Sequence, residues 1–302
     1  MFHRLVVPLD GSRLAESVLP VVRRLGELIP VTVKLLHVIE KRPPSTIHGD
    51  SHLRDVHEAE AYLTSVAERL RAQGLDADTH VHTVPQGDVP KCIAEHGGEL
   101  DGDLIVLCAH GAGGLRRFVF GSNAEQVLSH GSTSVMLIQA DEDGLARSFG
   151  PHRILVLSDC TPATEPALAM GAELAMRTGS RLHLLAVVPT LVSMKAEHAA
   201  SGRFTPQATR RMLDLAAEET VACLQDEVDR LVERGIMASG RLERGDTASA
   251  VVAVAEAHAA DLVILAVRGL AGLSAFWADA VTRKVAGAYG GALLLIPRAK
   301  TE

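Results

Sequence analysis

A chain of 302 residues is about twice the length of a common single domain, so two domains are the first expectation. With 47% hydrophobic and 22% charged residues it has the make-up of a folded globular protein, which excludes a disordered one. A net charge of −7, with one Trp, two Tyr and six Phe, argues against a basic nucleic-acid face or a base-stacking platform, so no nucleic-acid partner is expected. The longest run free of Asp, Glu, Lys and Arg, Gln126–Ala140, contains His130 and Gly131 and is too short to span a bilayer, so no membrane partner is expected either. The apolar run after Arg4 ends at Asp10, unlike a secretory leader. Cys92, Cys108, Cys160 and Cys223 lie far apart with no C-x-x-C pair, which points to a reducing cytoplasm.

In chain order, LVVPL (5–9) is a short apolar run suited to a buried strand. Leu14–Leu25 has the spacing of a helix, with Gly26 as its stop. VTVKLLHVI (31–39) is a second strand, followed by a helix within Asp55–Gln73 that Gly74 ends. THVHTV (79–84) alternates like a strand and precedes a helix near Pro90–His96. LIVLCA (104–109) is a fourth strand, then come a Gly-rich loop, a helix from Ser122, and SVMLIQ (134–139). The pattern then starts again. RLVVPLDGS (4–12) reads like RILVLSDCT (153–161), Gly87-Asp88 like Gly245-Asp246, and DLIVLCAHG (103–111) like DLVILAVRG (261–269). Each copy closes on an apolar run, SVMLIQ or ALLLIP (292–297), and the polar stretch Asp141–Pro151 links them. Domains over 1–140 and 152–302 follow. Apolar strands alternating with helices predict a doubly wound α/β domain with a five-stranded parallel sheet in each. Ligands of such sheets sit beyond the carboxyl ends of the strands where strand order reverses, and there Asp10 and the loop from Cys108 can meet.

The most informative stretch is CAHGAGGLRRFVFGSNAEQ (108–126). Gly111, Gly113 and Gly114 let the backbone bend and leave its N–H groups open. Gly121 precedes a helix whose Ser122-Asn123-Ala124-Glu125 fits a capping box. Unpaired N–H groups and the positive end of the helix dipole suit phosphate oxygens. Spacing alone favours a second reading over this one: a surface turn, with Ser122 only an N-cap. No G-x-x-x-x-G-K-[ST] occurs, and the Gly-rich fragment follows the fourth strand without a third dinucleotide-fingerprint glycine, so a P-loop and a hydride-transferring Rossmann enzyme are excluded.

RLVVPLDGS, G-D-V-P (87–90) and DLIVLCAHGAGGLRRFVFGSNAEQVL together resemble the universal stress protein family in a tandem form, once per half. The resemblance implies an adenine nucleotide alpha hydrolase-like fold and an ATP-binding stress-response module. Against the pattern G-x2-G-x9-G-[ST] of ATP-binding members, Gly111 falls on the second glycine, Gly121 on the third and Ser122 on the hydroxyl residue, with Asn123 next to it. Cys108 stands in place of the first glycine, and His110 precedes the second. By the same resemblance, Asp10 and the backbone around Pro8, Leu9 and Val38 would surround adenine and ribose, with ATP, optionally with Mg²⁺, in the first domain only. It also implies that SVMLIQ and ALLLIP pair within the chain, and it leaves room for a homodimer. In the second half Gly269 remains, but Ala266, Asp279 and Ala280 replace the first glycine, the third glycine and the serine, and Arg268 the histidine. A carboxylate about 4 Å from phosphate costs on the order of 4 kcal/mol at an effective dielectric of 20, so this half reads as degenerate.

Other residue sets point less sharply. Ten of the 14 histidines lie in the first half. His80 and His82 share a strand face, and His48, His52 and His57 fall on a loop and helix start. No H-E-x-x-H or cysteine at ligand spacing accompanies them, so they read as solvated or locally bonded, with no metal site. His37 reads as a satisfied core histidine. Cys108 reads as a small residue replacing glycine, or as a thiol activated by a helix N-terminus. Arg116 and Arg117 would reach phosphates or form a solvated loop face. The acidic and basic segment Pro206–Arg234 has no heptad seam and reads as an amphipathic cover for the sheet. The chain is therefore expected to act as a nucleotide-dependent regulatory or interaction module rather than an enzyme. The alternatives are a weak ATP hydrolase, for which spacing assigns Asp10, His110 and Arg116 or Arg117 no roles, and a scaffold that binds no nucleotide.

Overall fold

The computed structural model of the chain describes residues 1–47, 49–109, 122–140, 149–194, 206–267 and 280–298, with backbone alone at 122, 123, 125 and 206. The described residues form two compact units. One comprises residues 1–150 with Gly290–Pro297, the other Pro151–Val267 with 280–289 and Arg298.

In the first unit the strands are β1 (Arg4–Pro8), β2 (Thr32–Glu40), β5 (Asp76–Gln86), β6 (Leu104–Ala109) and β7 (Ser134–Gln139), with a small hairpin of β3 (Thr46–Ile47) and β4 (Asp50–Ser51). Their spatial order is β5-β2-β1-β6-β7, all parallel. Apolar side chains fill both faces, as burial on two sides demands: Leu5, Val6, Val7, Leu35, Leu36, Leu104 and Ile105 are all fully buried. Each such side chain contributes about 1.5–3 kcal/mol relative to exposure. The last strand of the chain, β12 (Ala292–Pro297), groups with this unit and pairs antiparallel with β7, Leu294 opposite Met136. SVMLIQ and ALLLIP thus meet as expected.

Around this sheet lie α1 (Arg13–Glu16), α2 (Leu19–Leu28), α3 (Val56–Ala72), α4 (Val89–Glu99) and α5 (Ser122–His130). The single helix expected over Leu14–Leu25 forms as two pieces, because Pro20 lacks an N–H and starts α2 anew. Gly26 does not stop it. It lies inside α2, where a Cβ would come 2.1 Å from Leu75 Cδ2, so packing rather than termination explains the glycine. By contrast α3 begins on the Asp55 cap, and Gly74 beyond its end has φ +85°.

The second unit repeats the order with β8 (Arg153–Leu157), β9 (Arg181–Val188), β10 (Ala238–Arg244) and β11 (Leu262–Val267), parallel as β10-β9-β8-β11. Its helices are α6 (Glu165–Thr178), α7 (Pro206–Glu233), α8 (Thr247–Ala257) and α9 (Ala280–Ala286). The 28-residue α7 buries Ala217, Leu224, Val228 and Leu231 along one stripe, as a sheet cover should.

The repeated residues are repeated devices. Asp103 accepts the backbone N–H groups of His3 (2.7 Å) and Arg4 (3.1 Å), and Asp261 those of His152 (3.0 Å) and Arg153 (2.9 Å). Each pins the entry of the first strand of its unit to that of the fourth. Asp88 caps α4 through the Lys91 N–H at 3.1 Å, and Asp246 caps α8 through the Ser249 N–H at 3.0 Å.

Candidate functional site

Strand order in the first unit reverses between β1 and β6, so the crevice at the carboxyl ends of these two strands is where the topology opens a binding site. Pro8, Leu9 and Asp10 leave β1 on one side, and Cys108-Ala109 end β6 on the other. The Asp10 carboxylate accepts the N–H (2.9 Å) and the hydroxyl (2.6 Å) of Ser12, whose own Oγ caps α1 through the Ala15 N–H at 3.1 Å. Asp10 is thereby held at the mouth by an Asx turn. Between them Gly11 has φ +88°, and a Cβ there would meet Leu53 Cγ at 2.9 Å. Only glycine suits both the left-handed turn and the close approach.

The Leu9 backbone is already engaged. Its N–H donates to the Leu36 carbonyl at 2.8 Å, and its carbonyl accepts the Nδ1–H of buried His37 at 2.7 Å. Nδ1 carries the proton because a carbonyl can only accept. Burial lowers the pKa of His37, keeping the ring neutral, and its Nε2 lacks a hydrogen-bond partner among the described residues. His37 is thus a core histidine satisfied on one side only. Val38 is buried, and the strand carrying it outruns β1: β2 continues to Glu40, past Leu36, the last residue paired with β1. The β1-facing backbone edge around Val38 therefore borders the crevice. The β2–β5 ladder shifts register between Val38 and Glu40.

Cys108 faces Ser17, whose hydroxyl donates to Sγ at 3.3 Å, and burial raises its thiol pKa. Burial thus works against the activated-thiol reading and in favour of a small residue standing in for glycine. Beside the mouth, Glu16 accepts from the Tyr62 hydroxyl (3.0 Å) and from Arg69 (2.7 Å), and burial with the Glu16 charge pushes the Tyr62 phenol well above its usual range. His110, Gly111, Gly113, Gly114, Arg116, Arg117 and Gly121 lie outside the described residues, as does Asp279. Ser122 and Asn123 are the first two residues of α5, which places the predicted hydroxyl position at a helix N-terminus. The corresponding α9 begins at Ala280, with no hydroxyl. In the second unit the Asp10 turn recurs: Asp159 accepts the Thr161 N–H (3.1 Å) and hydroxyl (2.6 Å) and the Thr164 hydroxyl (2.9 Å).

Two clusters escaped the sequence reading. His82 on β5 and Cys92 and His96 on α4 converge with their donor atoms within 4.8 Å of one another. The missing signal was the four-residue spacing of Cys92 and His96, which puts both on one face of a helix. Burial pushes the Cys92 thiol up to about 11. In the second unit Cys160, with φ +58°, meets Cys223 and Glu227 of α7. Burial and Cys223 push the Cys160 thiol up to about 12, and burial raises Glu227, which accepts from Ser158 at 3.2 Å. At the amino ends of the strands, away from the switch point, a cavity of about 350 Å³ is lined by Arg4, Lys34, Asp76, Asp78, Glu99 and Asp101. Among the described residues no helix is long and apolar enough to cross a membrane.

Comparison with known proteins agrees with the repeat. Universal stress protein Sll1654 of Synechocystis is 32% identical over 113 residues, covering 37% of this chain and 70% of its own. Universal stress protein Sll1388 of the same organism is 26% identical over 154 residues, covering 46% and 98%. A crystal structure of a universal stress protein from Archaeoglobus fulgidus superposes with a TM-score of 0.71 at 20% identity, over 99% of this chain and 97% of that one, which establishes the shared fold. The model of the universal stress protein family matches twice, at residues 1–139 and 151–289. With each half carrying the strand order, the Asp turn and the family match, the chain belongs to the universal stress protein family, as a tandem of two of its domains.

Proposed function

We propose that this chain is a cytoplasmic stress-response module that binds one adenine nucleotide, ATP, in its first domain, and that the bound nucleotide alters the surface offered to a partner. The observation that carries this reading is the switch point itself. Held Asp10 and the overrunning backbone edge of Val38 border one crevice, and the chain returns to that end of the sheet at the start of α5. A backbone edge suits the hydrogen-bonding rim of a purine, a carboxylate suits ribose hydroxyls, and a helix N-terminus suits phosphate. Leu9 contributes by shape, since its N–H and one carbonyl lone pair are already used. The second domain keeps the Asp159 turn but opens its corresponding helix with Ala280 after Asp279, which favours binding in the first domain alone. The helix dipole offers an anion only about 0.3–1 kcal/mol at an exposed site, too little to overcome a nearby carboxylate.

Equilibrium dialysis with labelled ATP, with and without Mg²⁺, should give a stoichiometry near one. Gly121→Val should abolish binding by blocking the approach to the helix, Ser122→Ala should weaken it, and Asp279→Asn should leave it unchanged. Two sites of similar affinity would refute the asymmetry. An absence of binding at millimolar ATP would leave the scaffold reading in its place.

A further inference from the structure

The strongest feature outside the switch point is the cluster between the edge strand β5 and α4. His80 and His82 sit two apart on β5 and so share a face of the sheet, and α4 lays Cys92 and His96 against it. Cys92 and His96 are both buried, and His82 is half-buried. His82 Nδ1 stands 2.8 Å from His96 Nε2, and the His80 and His82 rings each lie 4.9 Å from the His96 ring. Two imidazoles at that distance share a single proton, one nitrogen donating and the other accepting. The Gln86 side-chain amide is 2.9 Å from His82 Nε2. His96 Nδ1 is 2.7 Å from Glu99 Oε2, yet too far out of line to count as hydrogen-bonded. Four nitrogen and sulfur donors in one place are more than local satisfaction requires.

We infer that His82, Cys92 and His96 form a binding site for a borderline-soft divalent transition ion, Zn²⁺ by preference, with one coordination position left open. Tetrahedral Zn²⁺ with imidazole nitrogens at about 2.0–2.1 Å and a thiolate at about 2.3 Å holds its donors roughly 3.3–3.7 Å apart. The three donors here lie between 2.8 Å and 4.8 Å from one another, so side-chain rotations of about 1 Å complete the geometry. Imidazole with thiolate selects Zn²⁺ over Mg²⁺ or Ca²⁺, which prefer oxygen. An outer shell stands within reach. On metal binding a small rotation would bring Glu99 Oε2, 2.7 Å away, into line with the His96 Nδ1–H, the carboxylate–histidine–metal arrangement that fixes a ligating ring. The Gln86 amide, whose Nε2 stands 2.9 Å from His82 Nε2, would flip to present its oxygen to the His82 Nε2–H. The proton count closes. The His82 proton moves from Nδ1 to Nε2, His96 keeps its proton on Nδ1, and the Cys92 thiol proton is released to solvent as the S–metal bond forms. His80 lies edge-on to the His96 ring at 4.9 Å. The site owes nothing to the nucleotide reading.

The test is titration of the untagged, metal-stripped full chain with Co²⁺, followed by Zn²⁺ competition against a chromophoric chelator. One equivalent of Co²⁺ should produce the near-ultraviolet thiolate-to-metal charge-transfer band and the intense visible bands of a tetrahedral ion, and Zn²⁺ should displace it. The band should persist in the Cys160→Ser/Cys223→Ser chain, which removes the other cysteine cluster, and vanish in Cys92→Ser. His82→Gln should weaken Co²⁺ and Zn²⁺ binding at least tenfold. Circular dichroism in chelator checks that each variant folds, and if Cys92→Ser does not, His82→Gln at its half-buried strand position decides. No charge-transfer band at one equivalent, a band surviving in Cys92→Ser, or unchanged affinity in His82→Gln overturns the site.

Discussion

At the scale of single residues, the determinants are positions where conformation or charge leaves one choice. Gly11 must adopt φ +88° beneath Leu53, and the turn it makes aims Asp10 at the crevice. Cys108 illustrates the reverse: a residue that looks reactive in sequence has its thiol pKa raised by burial, which outweighs the opposing effect of the Ser17 hydroxyl that donates to it. His183 on β9 carries a pH dependence. It stacks on His258 at 4.0 Å and bonds Ser239 at 2.8 Å, and burial, with His258 and Arg241, lowers its pKa to about 4. The native state therefore keeps it neutral, while the unfolded chain protonates it below about 6.5. Its contribution to stability is complete above the unfolded pKa and is lost as pH falls from about 6.5 towards 4. In urea unfolding across that window, His183→Gln should flatten the acid-side loss of stability of the second unit. An unchanged slope would show that the ring is not held neutral.

At the scale of elements, the two copies share caps more faithfully than they share binding residues. Asp88 and Asp246 each satisfy a helix N-terminal N–H, and Asp246 adds a 3.3 Å contact with Lys284. Asp88→Ala and Asp246→Ala should each cost about 1 kcal/mol, read as a lowered denaturant midpoint with an unchanged slope. Neither change should alter ATP stoichiometry, because the Gly-Asp pair caps a helix and lies outside the proposed crevice. The Asp246 carboxyl is held below its usual pKa, first by the Ser249 N–H, so its stabilisation is present above the ordinary carboxylate pKa and fades as pH falls through the lowered one. The same α4 that Asp88 starts carries Cys92 and His96 across to His82, so one helix serves both packing and the inferred metal site.

At the scale of the whole molecule, the chain's last strand completes the unit built by its beginning. β12 covers the edge of β7, whose Val135, Met136, Leu137 and Ile138 are all buried. An uncovered apolar edge strand is a template for association. A chain truncated after Tyr289 should lose amide protection across Ser134–Gln139 in hydrogen exchange and show concentration-dependent association in sedimentation. Unaltered protection there would mean that β12 contributes nothing to the stability of β7. The truncation leaves Asp10, Val38 and Ser122 in place.

The sequence by itself determined the double repeat, the parallel strands and most of the helices, because these rest on local period, on capping residues and on glycines in the left-handed region. Asp55 and Gly74 bracketed α3 in this way, and LIVLCA and SVMLIQ became β6 and β7 without adjustment. It failed at Gly26, whose reason is the Leu75 side chain from another element, a contact that no local pattern encodes. It placed Asp10 at the strand ends by pattern and Val38 by resemblance alone, while the strand overrun that exposes the Val38 backbone edge is a matter of register between β1 and β2. It also saw His80 and His82 on one strand face and stopped for want of a cysteine. Only the tertiary structure supplies Cys92 and His96, because a ligand set assembled from a two-residue strand period and a four-residue helix period exists once α4 has packed on β5.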